Sequence, residues 1–138
     1  MKKKILLTLG GLLVILQLVR PTRNEGTAYS ANDITHGANV PVEVKQILET
    51  SCFDCHSNHT NYPWYANIQP VGLWIQNHVN EAKEELNFSE FATYSPKRKT
   101  KKLQEMAEEI KEHEMPLKSY LWIHKKTALS ETQIQTIT

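Results

Sequence analysis

Two cysteines and a histidine stand together in one short motif, Cys52-Phe53-Asp54-Cys55-His56. This spacing is typical of c-type haem attachment, because each of two thiols three positions apart can add to one vinyl group of a porphyrin. The histidine that follows would lie beneath the iron and supply an imidazole nitrogen as its proximal ligand. The motif therefore predicts one covalent haem c, bonded through Cys52 and Cys55 and ligated by His56.

The same cysteine pair is compatible with three other interpretations. A Cys52–Cys55 disulfide of the thioredoxin kind expects a preceding strand and a βαβ context, and the sequence predicts neither. A zinc site needs a second pair of ligands at metal spacing, which does not accompany the motif although the chain has six histidines. The third interpretation is a chance pattern without chemistry. Haem attachment is the interpretation that the sequence favours.

Met115 is the predicted sixth ligand of the iron. It stands directly before Pro116, where a helix must end and the chain must turn, and a thioether on such a loop can reach the distal face of a haem. Ligation by histidine and methionine raises the reduction potential and leaves no open site for a substrate. Two alternatives stay open, namely Met115 as a core residue and His113 as the ligand.

An aromatic cluster, Tyr62-Pro63-Trp64-Tyr65, follows the motif. Tyr62 and Trp64 are predicted to pack against the porphyrin, where they would exclude water and tune its reduction potential. Ordinary hydrophobic packing explains this cluster equally well. Trp74 and Trp122 are predicted to belong to the hydrophobic core.

Short helices must position these residues. Apolar residues recur at three-and-four spacing, whereas no long stretch alternates apolar with polar residues and no Asn-Gly or Asp-Gly turn occurs. The predicted helices begin at Pro41, near Pro70, at the Ser95-Pro96 cap, at Leu117 and at the Ser130 capping box. Pro116 is predicted to end the third of them. The predicted fold class is all-α, a bundle of four or five short helices around a haem.

The first segment predicts export. Lys2–Lys4 precede an apolar run from Ile5 to Val19, a pattern typical of secretory signals that approaches the roughly 20 residues of a membrane span. Residues 1–21 are therefore predicted as a signal sequence or membrane anchor, with the lysines on the inner side. Residues 22–40 are polar and lack apolar periodicity, which predicts a flexible tether. Residues 41–138 are predicted as the haem-binding domain.

Composition limits the class of protein. The 138 residues carry a net charge of +1 and are 40% hydrophobic, which fits one domain and excludes wholesale disorder. Five of the sixteen basic residues precede residue 24, which leaves eleven against fifteen acidic residues and a net charge of −4 on residues 24–138. This acidic body argues against nucleic-acid binding. The basic run Lys97–Lys102 is predicted to be a solvated face or a docking site for an acidic partner.

Several segments accompany the cysteine motif. Residues 52–65, Pro70–Trp74, His78-Val79, Leu86–Ser89 and Glu114–Pro116 together resemble the bacterial haem-binding domain family, small exported proteins similar to c-type cytochromes. The resemblance covers roughly residues 38–138 and implies a small cytochrome c-like fold with one covalent haem. It also implies iron ligation by the histidine of the motif, with a Met-Pro pair on the distal side. The expected location is the bacterial cell envelope, on the periplasmic side of the inner membrane, with residues 5–19 as the anchor.

The predicted function is one-electron transfer between redox partner proteins of the membrane or periplasm. No side chain then acts as acid, base or nucleophile, so the sequence favours a carrier over an enzyme. The alternative is a peroxidase-like haem enzyme or a ligand sensor with an open distal site, where His113 or Glu114 would be the acid–base group. A thiol–disulfide exchanger that uses Cys52 and Cys55 is a third candidate.

Overall fold

The computed structural model describes residues 1–37 and 40–138. Within these residues the chain forms eight α-helices and three short 3-10 helices. The pairing of extended backbone there is limited to an isolated bridge between Glu25 and His59. The prediction of an all-α fold is therefore confirmed, with more and shorter helices than the four or five expected.

The α-helices follow the chain in a simple order. They are α1 (Lys2–Leu16), α2 (Ile34–Gly37), α3 (Val42–Ser51), α4 (Phe53–His56), α5 (Val71–Glu85), α6 (Pro96–Lys111), α7 (Lys118–Leu121) and α8 (Glu131–Ile137). The 3-10 helices are Trp64–Asn67, Phe88–Thr93 and Lys125–Thr127. The helix predicted from Leu117 is thus limited to the single turn α7, and a separate 3-10 turn follows it.

Side-chain caps fix the N-termini of α6 and α8. The hydroxyl oxygen of Ser95 accepts a hydrogen bond from the backbone N–H of Arg98, and Pro96 opens α6. Ser130 and Gln133 form both hydrogen bonds of a capping box at the start of α8. These caps confirm the two helix starts that the sequence predicts from serine residues, because each cap satisfies backbone N–H groups left free at a helix end.

Helix α6 ends earlier than predicted. Its last residue is Lys111, and His113 takes a φ of 58° in the left-handed region. Such a residue commonly follows the end of a helix, because it turns the chain away from the helix axis. The expectation that Pro116 ends this helix is wrong, since the turn at His113 comes first.

The hydrophobic core lies beneath the cysteine motif. Its buried members come from α2, α3, α4 and the chain around the 3-10 helix Phe88–Thr93, and they are Ile34, Leu48, Phe53, Leu86, Phe88, Phe91 and Tyr94. Phe53, the second residue of the motif, stacks on Phe88 with 5.4 Å between the ring centroids. Helix α8 packs against α3. The motif is therefore built directly on the core.

Helix α5 leaves exposed the tryptophan that the sequence predicts as a core residue. Gly72, Gln76 and Val79 are its buried residues, whereas Trp74 is 49% exposed. Trp122 is 77% exposed. The prediction that both tryptophans belong to the core is wrong, because both line a surface cavity instead.

Much of the predicted tether packs against the domain. Ile34 is a core residue, and Asn24 is buried. The side-chain amide of Asn24 donates hydrogen bonds to the backbone carbonyl of Ser57 at 2.8 Å and to the hydroxyl of Thr60 at 2.9 Å. The polar composition that predicts a flexible segment therefore serves to pair buried polar groups of the domain. Residues 38 and 39 of the predicted tether lie outside the described residues.

Helix α1 leaves its apolar side chains on the surface. Leu6 is 73% exposed and Val14 is 70% exposed, and α1 has no buried residue. Across residues 1–37 and 40–138, none of the helices combines the length and the apolar character needed to cross a bilayer. The helix ends at Leu16, whereas the apolar run that predicts an anchor continues to Val19.

Candidate functional site

The cysteine motif forms the single helical turn α4, which follows α3 after a break at Cys52. The backbone N–H groups of Cys55 and His56 both donate to the carbonyl of Cys52, at 3.1 and 2.9 Å. One turn of helix projects successive side chains in different directions. Phe53 enters the core, Asp54 bonds to α7, and the side chains of Cys52 and His56 line a common cavity.

The cavity beside Cys52 and His56 has a volume of about 420 Å³. This size lies within the range of roughly 300–1,000 Å³ that is usual for small-molecule and cofactor sites. Most of its apolar wall comes from Leu86, Met106, Ile110, Met115, Pro116 and Leu129. The predicted imidazole ligand and the predicted thioether ligand therefore border the same apolar space.

His56 is held in one orientation. Its Nδ1 lies 2.9 Å from the backbone carbonyl of Leu86, and since a carbonyl can only accept, Nδ1 carries a proton, which leaves Nε2 as the nitrogen with the free lone pair in the neutral imidazole. Burial lowers the pKa of His56, while the carbonyls of Leu86 and Ala82 oppose that shift. A hydrogen bond that fixes the second ring nitrogen is typical of histidines that ligate metals.

A polar cluster around Leu86–Ser89 fixes the carbonyl that His56 contacts. The side-chain oxygen of Asn87 accepts from the N–H of Ser89 at 3.0 Å, and the N–H of Asn87 donates to the hydroxyl of Tyr94 at 2.9 Å. Asn58 donates its N–H to the hydroxyl of Ser89 and accepts from the amide of Asn87. The cluster therefore connects Asn58, just after the cysteine motif, to the segment Leu86–Ser89, whose Leu86 carbonyl contacts the imidazole of His56.

The turn after α6 brings Met115 to the cavity. The backbone N–H groups of Glu114 and Met115 both donate to the carbonyl of Glu109, at 3.0 and 3.2 Å. This folds Met115 back onto the last turn of α6, where Ile110 lines the same cavity. His113 and Glu114 are exposed and do not line it. The geometry therefore favours Met115 over His113 as the residue that faces His56.

A second cavity, of about 190 Å³, lies beside Cys55. Aromatic rings form much of its wall, contributed by Tyr65, Trp74, His78, Tyr120, Trp122 and His124. Cys52 lines the first cavity and Cys55 the second, and the neighbouring residues Pro116 and Leu117 border one each. A flat group bonded to both thiols would therefore contact both cavities.

Tyr62 and Trp64 line neither of these two cavities. The hydroxyl of Tyr62 donates to the side-chain oxygen of Gln76 at 2.5 Å, and Trp64 is 75% exposed. Pro63 and Tyr65 are the residues of this stretch that reach the second cavity. Aromatic side chains therefore do line the site, but most of them belong to α5 and to the segment after Met115. Sequence reasoning did not predict that these two segments would supply them.

Burial raises the pKa of both thiols, that of Cys52 to about 12 and that of Cys55 to about 11. Both side chains therefore stay protonated at neutral pH. A thiolate is the form that attacks disulfides, so these pKa values disfavour thiol–disulfide exchange. Among the described residues, no group of three or more Cys, His, Asp or Glu is arranged to hold a metal ion.

Lys102, the last residue of the basic run predicted as a solvated face or docking site, is instead ion-paired at the edge of the first cavity, and its side chain is only 15% exposed. The ammonium nitrogen of Lys102 lies 2.8 Å from a carboxylate oxygen of Glu85 and 2.8 Å from one of Glu105. These pairs raise the pKa of Lys102 and lower the pKa of both glutamates. The three side chains join the end of α5 to α6 beside the cavity.

Comparison with known proteins agrees with the chemistry of these residues. The model of the haem-binding domain family matches residues 11–138, a range that contains the cysteine motif, the carbonyl of Leu86 and Met115. No curated protein sequence and no solved structure gives a significant match. Since the family model covers most of the chain, this protein belongs to the haem-binding domain family.

Proposed function

We propose that this haem-binding protein carries one covalent haem c, bonded to Cys52 and Cys55 and ligated by His56 and Met115, and that it transfers single electrons. The haem supplies the redox couple, and the chain sets its potential through ligands and burial. One observation carries the proposal. The bond from Nδ1 of His56 to Leu86 leaves Nε2 free in a cavity that Met115 also borders.

The chain contributes to electron transfer by excluding water and fixing the ligands. Apolar side chains dominate the wall around His56 and Met115, and a low-polarity environment tunes the potential of a bound haem. His56 and Met115 would both hold the iron through protein side chains. The arrangement then needs no side chain that acts as acid or base.

The alternative, a haem enzyme or sensor with an open distal site, lacks support from the residues suggested for it. A peroxidase-like role needs an acid–base group at the distal position. His113 and Glu114 are exposed, and neither lines the first or the second cavity. Electron transfer is therefore the function that the geometry supports better.

The test is to produce the chain with haem-maturation machinery and measure its mass and its absorption spectra. We expect a mass increase of one haem, a low-spin spectrum in both redox states, and a reversible one-electron couple. His56→Ala should abolish the low-spin spectrum. His59→Ala is the matched control, because His59 is exposed and lines neither cavity, and it should leave the spectrum unchanged. A chain that acquires no haem would refute the proposal.

For the location, we propose that residues 1–21 act as an export signal or anchor that brings the domain to the periplasmic side of the inner membrane. The exposed apolar side chains of α1 support this, since such a helix is unfavourable in water. Gln17 and Gln69 exchange hydrogen bonds of 3.0 and 2.9 Å, which join the end of α1 to the domain. The mass of the mature chain distinguishes cleavage from anchoring, and cell fractionation checks the compartment. Recovery of the intact chain from the cytosol would refute this proposal.

The proposed partners are redox proteins of the membrane or periplasm. Lys97, Arg98 and Lys101 are exposed on α6 and offer a positive surface to an acidic partner. Attraction between opposite charges speeds encounter and is screened by salt. We expect the rate of electron exchange with an acidic redox protein to fall as ionic strength rises, whereas a salt-independent rate would argue against this surface.

A further inference from the structure

We propose that Asp54 is a positioning residue, which holds the segment after Met115 against the attachment helix through a hydrogen bond to Tyr120. This bond would keep the thioether of Met115 in the cavity that it shares with His56. The inference rests on the proposed ligation by His56 and Met115. It assigns a role to one of the two residues between the cysteines, which haem attachment itself does not use.

Both carboxylate oxygens of Asp54 accept hydrogen bonds. The hydroxyl of Tyr120 donates to Oδ2 at 2.9 Å, and the side-chain amide of Asn61 donates to Oδ1 at 2.9 Å. The hydroxyl of Thr60 donates to the backbone carbonyl of Asp54 at 2.6 Å. Hydrogen bonds to a carboxylate are shorter and stronger than those between neutral groups. Asp54 is therefore fixed on one side by its own loop and bonds to α7 on the other.

Tyr120 has a second set of contacts that hold α7 in place. Its ring stacks on His124 with 4.3 Å between centroids and 9° between planes. Nε2 of His124 lies 2.8 Å from the hydroxyl of Tyr65. The segment from α7 to His124 is thus attached at two points, one at Asp54 inside the cysteine motif and one at Tyr65 in the aromatic stretch that follows it.

The contacts that hold α7 also restrain Met115, because only Pro116 and Leu117 separate Met115 from the start of α7. The N–H of Tyr120 donates to the carbonyl of Leu117 at 2.9 Å, so the first turn of α7 is continuous with the residue after Pro116. The ring of Pro116 restricts backbone rotation directly next to Met115. A change in the position of α7 is therefore transmitted to the thioether. The hydrogen bonds to the carbonyl of Glu109 restrain Met115 only from its N-terminal side.

The experiment compares two conservative tyrosine variants of the matured chain. Tyr120→Phe removes the hydroxyl but keeps the ring that stacks on His124. Tyr62→Phe is the matched control, because it also removes a hydroxyl that donates to a side-chain oxygen, from a residue that lines neither the first nor the second cavity. Free imidazole is the probe, and the readout is the imidazole concentration at which half of the thioether–iron absorption band of the oxidised protein is lost.

We expect Tyr120→Phe to lower the half-displacement concentration about tenfold, the equivalent of one hydrogen bond to a charged group. Tyr62→Phe should stay within about twofold of the wild type. Asp54→Asn should shift the concentration in the same direction, and the double variant with Tyr120→Phe should add little, since both changes break one interaction.

Two results would overturn the inference. One is an unchanged half-displacement concentration in Tyr120→Phe, and the other is an equal shift in Tyr62→Phe, which would indicate general loosening of the fold. Absence of the thioether–iron band in the wild type is a different result. It would refute the proposed ligation, and with it any role of Asp54 in positioning a ligand.

Discussion

At the scale of single residues, the two proposed ligands are fixed by different means. The imidazole of His56 is held by the Leu86 carbonyl and by contact with Phe88, whose ring centroid is 5.7 Å away. The side chain of Met115 is flexible, and its position depends on the backbone turn that follows α6. The thioether is therefore the ligand that substitution or competition should remove more easily.

Two methionines, Met106 and Met115, line the first cavity, and only Met115 is the proposed ligand. Met115→Ala should abolish the thioether–iron band of the oxidised protein and lower its reduction potential, because a haem with histidine and methionine ligands has a raised potential. Met106→Leu is the control, since Met106 also lines the cavity. It should retain the band, and the check is visible spectroscopy with potentiometric titration. Loss of the band in Met106→Leu alone would reverse the assignment.

At the scale of elements, the end of α6 decides where the distal residue lies. His113 occupies a left-handed backbone conformation that favours glycine. That conformation lets the N–H groups of the next two residues bond back to Glu109. The exposed imidazole of His113 does not take part in these hydrogen bonds. The turn therefore depends on the backbone conformation of residue 113 and not on its side chain.

His113→Gly should therefore raise the free energy of unfolding by about 0.5–1 kcal/mol, because glycine adopts a left-handed φ without steric cost. His113→Ala keeps that cost and should give no gain. Denaturant unfolding of the matured protein measures both. The visible spectrum should not change in either variant, and loss of the low-spin spectrum would instead identify His113 as the ligand.

The contact between α5 and α6 is a second element-scale feature with a measurable consequence. Lys102 bonds to Glu85 at the end of α5 and to Glu105 one turn along α6, and its side chain is 15% exposed. Lys101 pairs with Glu105, and its side chain is 70% exposed. Although the side chain of Glu85 is 77% exposed, Lys102 is less solvated than Lys101 and has a second partner, and a less solvated ion pair contributes more than a fully solvated one.

Lys102→Gln should lower the free energy of unfolding at pH 7 more than Lys101→Gln does. The bonds to Lys102 hold the pKa of Glu85 and of Glu105 below the ordinary value of 4.5. Their stabilising effect is therefore complete above about pH 4.5 and is lost as the pH falls through the lowered pKa values. Urea unfolding across this range should show the difference between the two variants shrinking in acid. A difference that persists below the lowered pKa values would contradict this explanation.

At the scale of the whole molecule, the cysteine motif stands between a small core and two cavities. The core beneath it contains Phe53 and Phe88, but the side chains of Cys52, Cys55 and His56 border open apolar space. Apolar walls gain dispersion energy from a group that contacts them on both sides. The proposed haem would supply that contact and act as part of the core.

Cys52→Ala combined with Cys55→Ala should therefore lower the thermal midpoint by more than about 10 °C, equivalent to a few kcal/mol for a domain of this size. The wild-type chain produced without haem maturation is the control, because it keeps both thiols. It should be as unstable as the double variant. Calorimetry of the three samples is the measurement, and a near-native midpoint in the double variant would show that the cofactor does not complete the core.

The sequence by itself determined the haem-binding class of the protein and the class of the fold. The spacing of Cys52, Cys55 and His56 identified the candidate haem site, and the periodicity of apolar residues predicted the helices. Serine caps located the starts of α6 and α8, because such caps depend on residues only three positions apart. The family match confirms the haem-binding class, and the described residues confirm the all-α fold.

Only the tertiary structure decided which side chains surround that site. The Leu86 carbonyl beneath His56 and the Tyr120 hydroxyl on Asp54 are contacts between residues 30 and 66 positions apart. Local patterns do not encode such pairs. For the same reason Trp64 and Trp74 could not be placed from their hydrophobicity, since which face of a short helix is covered depends on what packs against it.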